Sequence, residues 1–600
     1  MTQAGRPASR AGTFRVLRAT LLSTLCAGLV AMAAQAAPPP HGLIVELKDA
    51  PAHGAPSRDV TTLAARADAE AVQRERVQRV IDAAGLTHSA AAQGAPEVRP
   101  QGRAAHVLDF GRALSAAETE AMLERLRASP DVAWAEPNDR EALLQSTTPS
   151  DPFFPGSSGQ WWLQPAGGSD ANAIEARLRG VPNMQRAWSL TTGNASVPVA
   201  VLDTGITAHP ELQGAWLPGA DMVSDPAMAN DGGGRDTDPA DPGDWVSESD
   251  LAQDAFAQCD AHDSSWHGTI VSGMLAAHTD NGEGIAAIGW QSRIVPVRVA
   301  GRCGAEVADI VDGMRWAAGL LVSSGHGWLP INPNPVRVIN LSFGGNKPCS
   351  RAYQSAIDEL RARGVLVVAA AGNTQGAVTR PANCRGVVAV TALNRDGFKA
   401  HYSSFGPEVT LATVGGDDLG GPSGPLLADG GVLSLYNAGV TAPGEPIYAR
   451  SFGTSFSAPI VAGTVALMLS VNPALTVDQI AAGLQRSARP HVQSPWLAQC
   501  SAANSATCLC TAATCGAGVL DAEQALFFAR DPDAYVAPAR GAEVLDNPEL
   551  AAASAASPQA SPQSPAEFEA DAAGGGAVGA AWLCLLALAI GALRAAPRRA

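Results

Sequence analysis

Unbroken apolar runs recur through the middle of this chain, at residues 198–202, 294–299, 336–341, 365–369 and 387–390. Such runs mark strands buried on both faces, because a half-exposed strand alternates apolar with polar positions. Helical patterns lie between them, as at 269–277, 308–321 and 353–363. Strand and helix in alternation predict an α/β fold, a mostly parallel sheet with helices on both faces. Ligands of such sheets sit outside the carboxyl ends of the strands. Asp203 stands at one such end.

Ahead of this region, residues 41–140 carry a smaller pattern. Residues 42–47 read as a strand, 61–84 as a charged amphipathic helix and 105–110 as a second strand. Ser115 and Glu118 form a capping box that opens another helix, and 131–136 closes this small α+β domain as a strand. Residues 1–36 have the layout of a signal peptide. Arg6, Arg10, Arg15 and Arg18 precede an apolar run, and Ala34-Gln35-Ala36 offers a small-residue cleavage site. After residue 535 the chain turns rich in Ala, Ser, Pro and Gln, a composition unable to bury a core. Gly574-Gly575-Gly576 then precede an apolar run of about 17 residues, the lower limit of a bilayer span. Arg594, Arg598 and Arg599 close it. The chain divides into 1–36, 37–145, 146–535, 536–573 and 574–600.

Charge and cysteines narrow the setting. A formal net charge of -16 argues against nucleic acid as a partner, since phosphate binding needs a basic stripe. Cys26 lies in the signal segment and Cys584 in the terminal apolar run. The even set that remains, 259, 303, 349, 384, 500, 508, 510 and 515, implies disulfides in an exported protein. Zinc is disfavoured, because the chain has neither a Cys-x-x-Cys pair nor a His-Glu-x-x-His helix.

Three segments carry the chemistry: Val201-Leu202-Asp203-Thr204-Gly205, Trp266-His267-Gly268-Thr269 and Gly453-Thr454-Ser455-Phe456-Ser457-Ala458-Pro459. Asp, His and Ser in that order match one of the three known chain orders of an acyl-transfer triad. Ser455 opens an apolar helix over 456–469, with Pro459 expected in its first turn, so helix amides favour negative charge at the nucleophile. His267 suits the general base, and Asp203 would fix its tautomer. The Gly-x-Ser-x-Gly elbow of α/β-hydrolases is excluded, because position 457 is Ser.

These segments resemble the three catalytic blocks of the subtilase family. A fourth, Ala369-Ala370-Ala371-Gly372-Asn373, resembles the family's oxyanion-hole segment, which implies that Asn373 donates its amide to the tetrahedral oxyanion. Ser342-Phe343-Gly344-Gly345 matches the substrate-binding edge, joined by 299–303, with Gly344, Gly345 and Gly372 opening the specificity pocket. The resemblance implies a serine endopeptidase acting on proteins or peptides through an acyl-enzyme, with an esterase or acyl-transfer variant, or an inactive surface-binding protein, as alternatives. It also implies that 37–145 is an inhibitory propeptide. The tail 574–600 resembles removable sorting tails of Gram-negative exported proteins, so export machinery and a sorting protease are expected partners, with secretion, display or membrane anchoring as outcomes. Clamping of cleft walls suggests Cys259–Cys303 and Cys349–Cys384, while the four cysteines at 500–515 allow three pairings. The acidic loop with Asp236, Asp238 and Asp241 offers oxygens suited to structural Ca²⁺, with a plain solvated acidic loop as the equal alternative, and no cofactor is expected for catalysis.

Overall fold

The computed structural model describes residues 42–48, 63–87, 95–101, 105–112, 114–138, 147–154, 159–167, 178–418 and 427–546. The signal segment, most of the Ala/Ser/Pro stretch and the terminal apolar tail lie outside the described residues. The chain forms two compact units that divide between Leu143 and Leu144.

In the first unit β1 (Gly42–Leu47), β2 (Glu97–Gln101), β3 (Ala105–Asp109) and β4 (Val132–Pro137) make an antiparallel sheet of order β2-β3-β1-β4. Strand β2 has no apolar run, and its largely exposed Glu-Val-Arg-Pro-Gln sequence hid it from the pattern. Helices Leu63–Ala83 and Ala116–Arg127 accompany the sheet. The second begins on the Ser115 box: Glu118 N–H donates to Ser115 Oγ and Ser115 N–H to Glu118 Oε2. Leu43, Val45, Leu47, Val77, Ile81, Leu108, Leu123 and Leu126 form a separate core.

The second unit is built on seven parallel strands, β5 (Val199–Asp203), β6 (Ala220–Asp221), β7 (Ile294–Arg298), β8 (Val338–Leu341), β9 (Leu366–Ala370), β10 (Val388–Leu393) and β11 (Leu411–Val414). Their order is β11-β10-β9-β8-β5-β7-β6. Along β5, Val199 and Val201 enter one core while Ala200 and Leu202 enter another, the two-residue period of a strand covered on both faces. Helices His267–Ala276 and Thr454–Val471 cover the first face, and Val307–Ala317 and Arg351–Ala362 the second. The helix Thr454–Val471 is apolar enough to cross a membrane, yet 89% of it is buried inside the molecule. It is a core helix, apolar all round because it is enclosed all round.

A hairpin of β12 (Val432–Asn437) and β13 (Pro446–Ser451) packs against helix His267–Ala276, where a side chain on Gly273 would meet Leu435 at 2.5 Å. Connections reach β5 from β6 and β7 on one side and from β8 to β11 on the other. That reversal opens a crevice at the carboxyl ends of β5 and β8. Four disulfides staple this unit: Cys259–Cys303, Cys349–Cys384, Cys500–Cys508 and Cys510–Cys515.

Candidate active site

Three neighbouring strands deliver their next residues to this crevice: Asp203 ends β5, Ser342 follows β8, and Gly372 and Asn373 follow β9. Asp203 is fully buried. Its Oδ1 accepts the Thr204 N–H at 2.8 Å and lies 2.7 Å from His267 Nδ1. A carboxylate only accepts, so Nδ1 carries the proton and Nε2 keeps its lone pair. Nε2 is buried and has no hydrogen-bond partner among the described residues. The rings of Phe343 and Phe456 stand 5.8 and 5.6 Å from the imidazole and confine it. Burial alone pushes the His267 pKa down. The charge and hydrogen bond of Asp203, with the charges of Asp244 and Asp241, outweigh it and raise the pKa above its ordinary value.

The backbone around His267 is strained into place. Trp266 precedes it with φ 51°, the left-handed region that a bulky residue rarely visits, and its buried indole donates to Gly439 O at 2.7 Å. Gly268 follows it because the chain passes so close to the β5 turn that a Cβ there would meet Gly205 O at 2.1 Å.

Ser455 lies in the first turn of its helix, after Gly453 at φ 151°. Pro459 is not in that turn, contrary to the expectation above. It sits where its N–H would have taken the Ser455 carbonyl. Ser342 Oγ donates to that carbonyl instead, at 2.7 Å, and Ser455 Oγ donates back to Ser342 O at 3.1 Å. Asn340 Nδ2 supports Ser342 Oγ at 3.0 Å. The proline thus frees an acceptor that ties the nucleophile's helix to the end of β8.

Asn373 is exposed on the crevice side, and its Oδ1 accepts both the N–H and the hydroxyl of Thr454, at 3.0 and 2.8 Å. With the oxygen so fixed, the –NH₂ is the end left for a ligand. Gly344 and Gly372 converge on one buried side chain that sequence reasoning missed, Thr379: a Cβ on either would meet its Oγ1, at 2.5 and 2.7 Å. Gly345 exchanges backbone hydrogen bonds with Arg380. Four N–H groups of residues 299–303 are taken within the unit, while Cys303 is exposed. Val299 and Ala300 donate to Asp203 O, Gly301 to Gly304 O and Arg302 to Met228 O.

The acidic loop departs most from expectation. Asp236 and Asp238 accept backbone N–H groups from Asp238 and Ala240. Asp241 is buried away from both, holding Thr204 and Gly243. Among the described residues these three carboxylates form no convergent group of ligand atoms, so they do not fit a calcium cage. Burial and the Asp244 charge push Asp241 up to about 7, against its two hydrogen bonds.

The model of the subtilase family matches residues 194–518. An extracellular protease of Xanthomonas campestris pv. campestris is 38% identical over 418 residues, 69% of this chain and 62% of the relative. An extracellular basic protease of Dichelobacter nodosus is 34% identical over 375 residues, 62% of this chain and 56% of the relative. The chain therefore spans less than two thirds of either relative's length. A solved structure of a protease from Pseudoalteromonas arctica is similar with a TM-score of 0.53 and 40% identity, covering 64% of this chain and all of that one. From the ends of β5, β8 and β9 to the match over 194–518, the chain belongs to the subtilase family.

Proposed function

We propose that this protein is an extracellular serine endopeptidase that cuts peptide bonds through an acyl-enzyme intermediate. The single observation that carries the reading is the His267 imidazole, hydrogen-bonded to Asp203 at Nδ1, open at Nε2 and 5.6 Å from the ring of Phe456, the residue after Ser455. The Ser455 hydroxyl turns its proton from Ser342 O to Nε2 as Oγ attacks the scissile carbonyl. The resulting oxyanion takes hydrogen bonds from the Asn373 amide and the Ser455 N–H. Imidazolium then gives the proton to the leaving amine, and water repeats the sequence to release the acid. Thr379, packed against Gly344 and Gly372, is assigned in this reading to the floor of the site for the side chain before the cut.

In the same reading, residues 37–145 form a propeptide that keeps the enzyme inactive until export, and the tail 574–600 serves sorting. Both relatives carry "extracellular" in their names, which supports secretion from a Gram-negative cell. Assay of wild type and Ser455→Ala on a protein substrate tests the reading. Turnover in the variant at more than a trace of the wild-type rate overturns it.

A further inference from the structure

Thr204 is the residue through which both halves of the His267–Asp203 pair are held, and it is in turn held by the acidic loop. Its backbone N–H donates to Asp203 Oδ1 at 2.8 Å. Its hydroxyl accepts the N–H of Gly268 at 3.0 Å, in the first turn of the helix that His267 begins. A hydroxyl has one proton to place. That proton goes to Asp241 Oδ2 at 2.7 Å, which turns the lone pairs toward Gly268. The other oxygen, Oδ1, accepts the Gly243 N–H at 2.9 Å.

The loop is docked for this contact by its backbone. Ile206 N–H donates to Pro239 O and Asp241 N–H to Ile206 O, so 239–241 runs beside the turn that follows Asp203. Three residues on, Asp244 accepts the N–H and the hydroxyl of Ser265 at 2.6 and 2.7 Å, and Ser265 Oγ lies 3.4 Å from the His267 N–H. The loop therefore grips the histidine segment ahead of the ring and behind it.

We propose that Asp241 is a positioning residue for the triad, acting through the Thr204 hydroxyl to fix Asp203 and the start of the His267 helix. It touches neither substrate nor reacting atoms. A carboxamide at 241 that keeps its oxygen on Gly243 N–H presents –NH₂ to Thr204 Oγ1, so the isosteric change reverses that bond and leaves the Thr204 proton without its acceptor.

The inference rests on the peptidase reading. Asp241→Asn, Thr204→Val and the double variant are assayed on a chromogenic peptide, with rates expressed per active site titrated by an irreversible serine reagent. Each single variant loses roughly 10-fold or more in kcat with KM within about twofold, the pattern of a misplaced catalytic group. The double variant loses less than the product of the singles, because both cut one chain of bonds. Thr204→Ser restores the hydroxyl and recovers most of what Thr204→Val loses. Should Asp241→Asn yield no titratable enzyme, the Thr204 pair alone decides. Wild-type kcat per titrated site in Thr204→Val, or losses that multiply, overturn the inference while leaving the peptidase reading intact. Turnover by Ser455→Ala in the same assay overturns that reading instead.

Discussion

At the scale of single residues, the amide of Asn373 is the donor most open to test. Because Oδ1 is tied to Thr454, Asn373→Ala removes a donor and leaves the fold around it supported by the Thr454–Gly372 bond. The expected result is a loss in kcat of about 100- to 1000-fold with KM nearly unchanged, the effect of deleting one oxyanion donor in a serine peptidase. Unchanged turnover removes Asn373 from the mechanism. The histidine gives a pH prediction. Catalysis needs neutral Nε2, and the carboxylates of Asp203, Asp244 and Asp241 hold the proton on more strongly than burial drives it off. The acid limb of kcat/KM therefore has its midpoint above the ordinary imidazole value of 6.5, and Asp244→Asn moves it down. A wild-type limb below 6.5 contradicts this charge balance. The segments that hold Asp203, His267, Ser455 and Asn373 stand out in the sequence because each is a short motif whose neighbours are forced by local backbone. Asp241 and Thr379 do not. Their partners, Thr204 and the pocket glycines, are brought to them only by tertiary folding, so an acidic loop looked like a cation cage.

At the scale of elements, five of the seven strands of the parallel sheet were legible as apolar runs. The runs at 198–202, 294–299, 336–341, 365–369 and 387–390 became β5, β7, β8, β9 and β10 with ends moved by only a few residues. The short β6 and β11 and the hairpin strands β12 and β13 escaped, since each is short or interrupted by polar residues. Pro459 was placed one turn too early because the helix starts at Thr454, and its effect appears only once Ser342 is seen to claim the freed carbonyl. The cysteines at 500–515 were undecidable by spacing, and folding resolved them as two short loops. Loop length separates what the four disulfides contribute. Cys259–Cys303 closes 44 residues and Cys510–Cys515 only 5. On chain entropy, losing the first costs about 4 kcal/mol and losing the second about 2 kcal/mol. Denaturant unfolding of Cys→Ser pairs, made in the Ser455→Ala background to prevent self-digestion, checks the order. A larger loss from the 510–515 pair counts against the entropic account.

At the scale of the whole molecule, two units with separate hydrophobic cores lie on one chain, and residues 139–146 join them outside the described structure. The first unit has its own four-stranded sheet and capped helix, and the family match starts only at 194. Asp203, His267, Ser342, Asn373 and Ser455 all belong to the second unit. The proposed propeptide role of the first unit predicts that the enzyme cuts it away. The junction is the place for that cut, since both flanking units are compact and their buried backbones are closed to an extended binding cleft. Mass spectrometry of the purified protein is the measurement. Wild type is expected to begin between residues 139 and 147, without the first unit, whereas Ser455→Ala keeps it attached. The same start in both proteins assigns the cut to another protease, and an intact wild type that digests substrate removes the first unit from any inhibitory role.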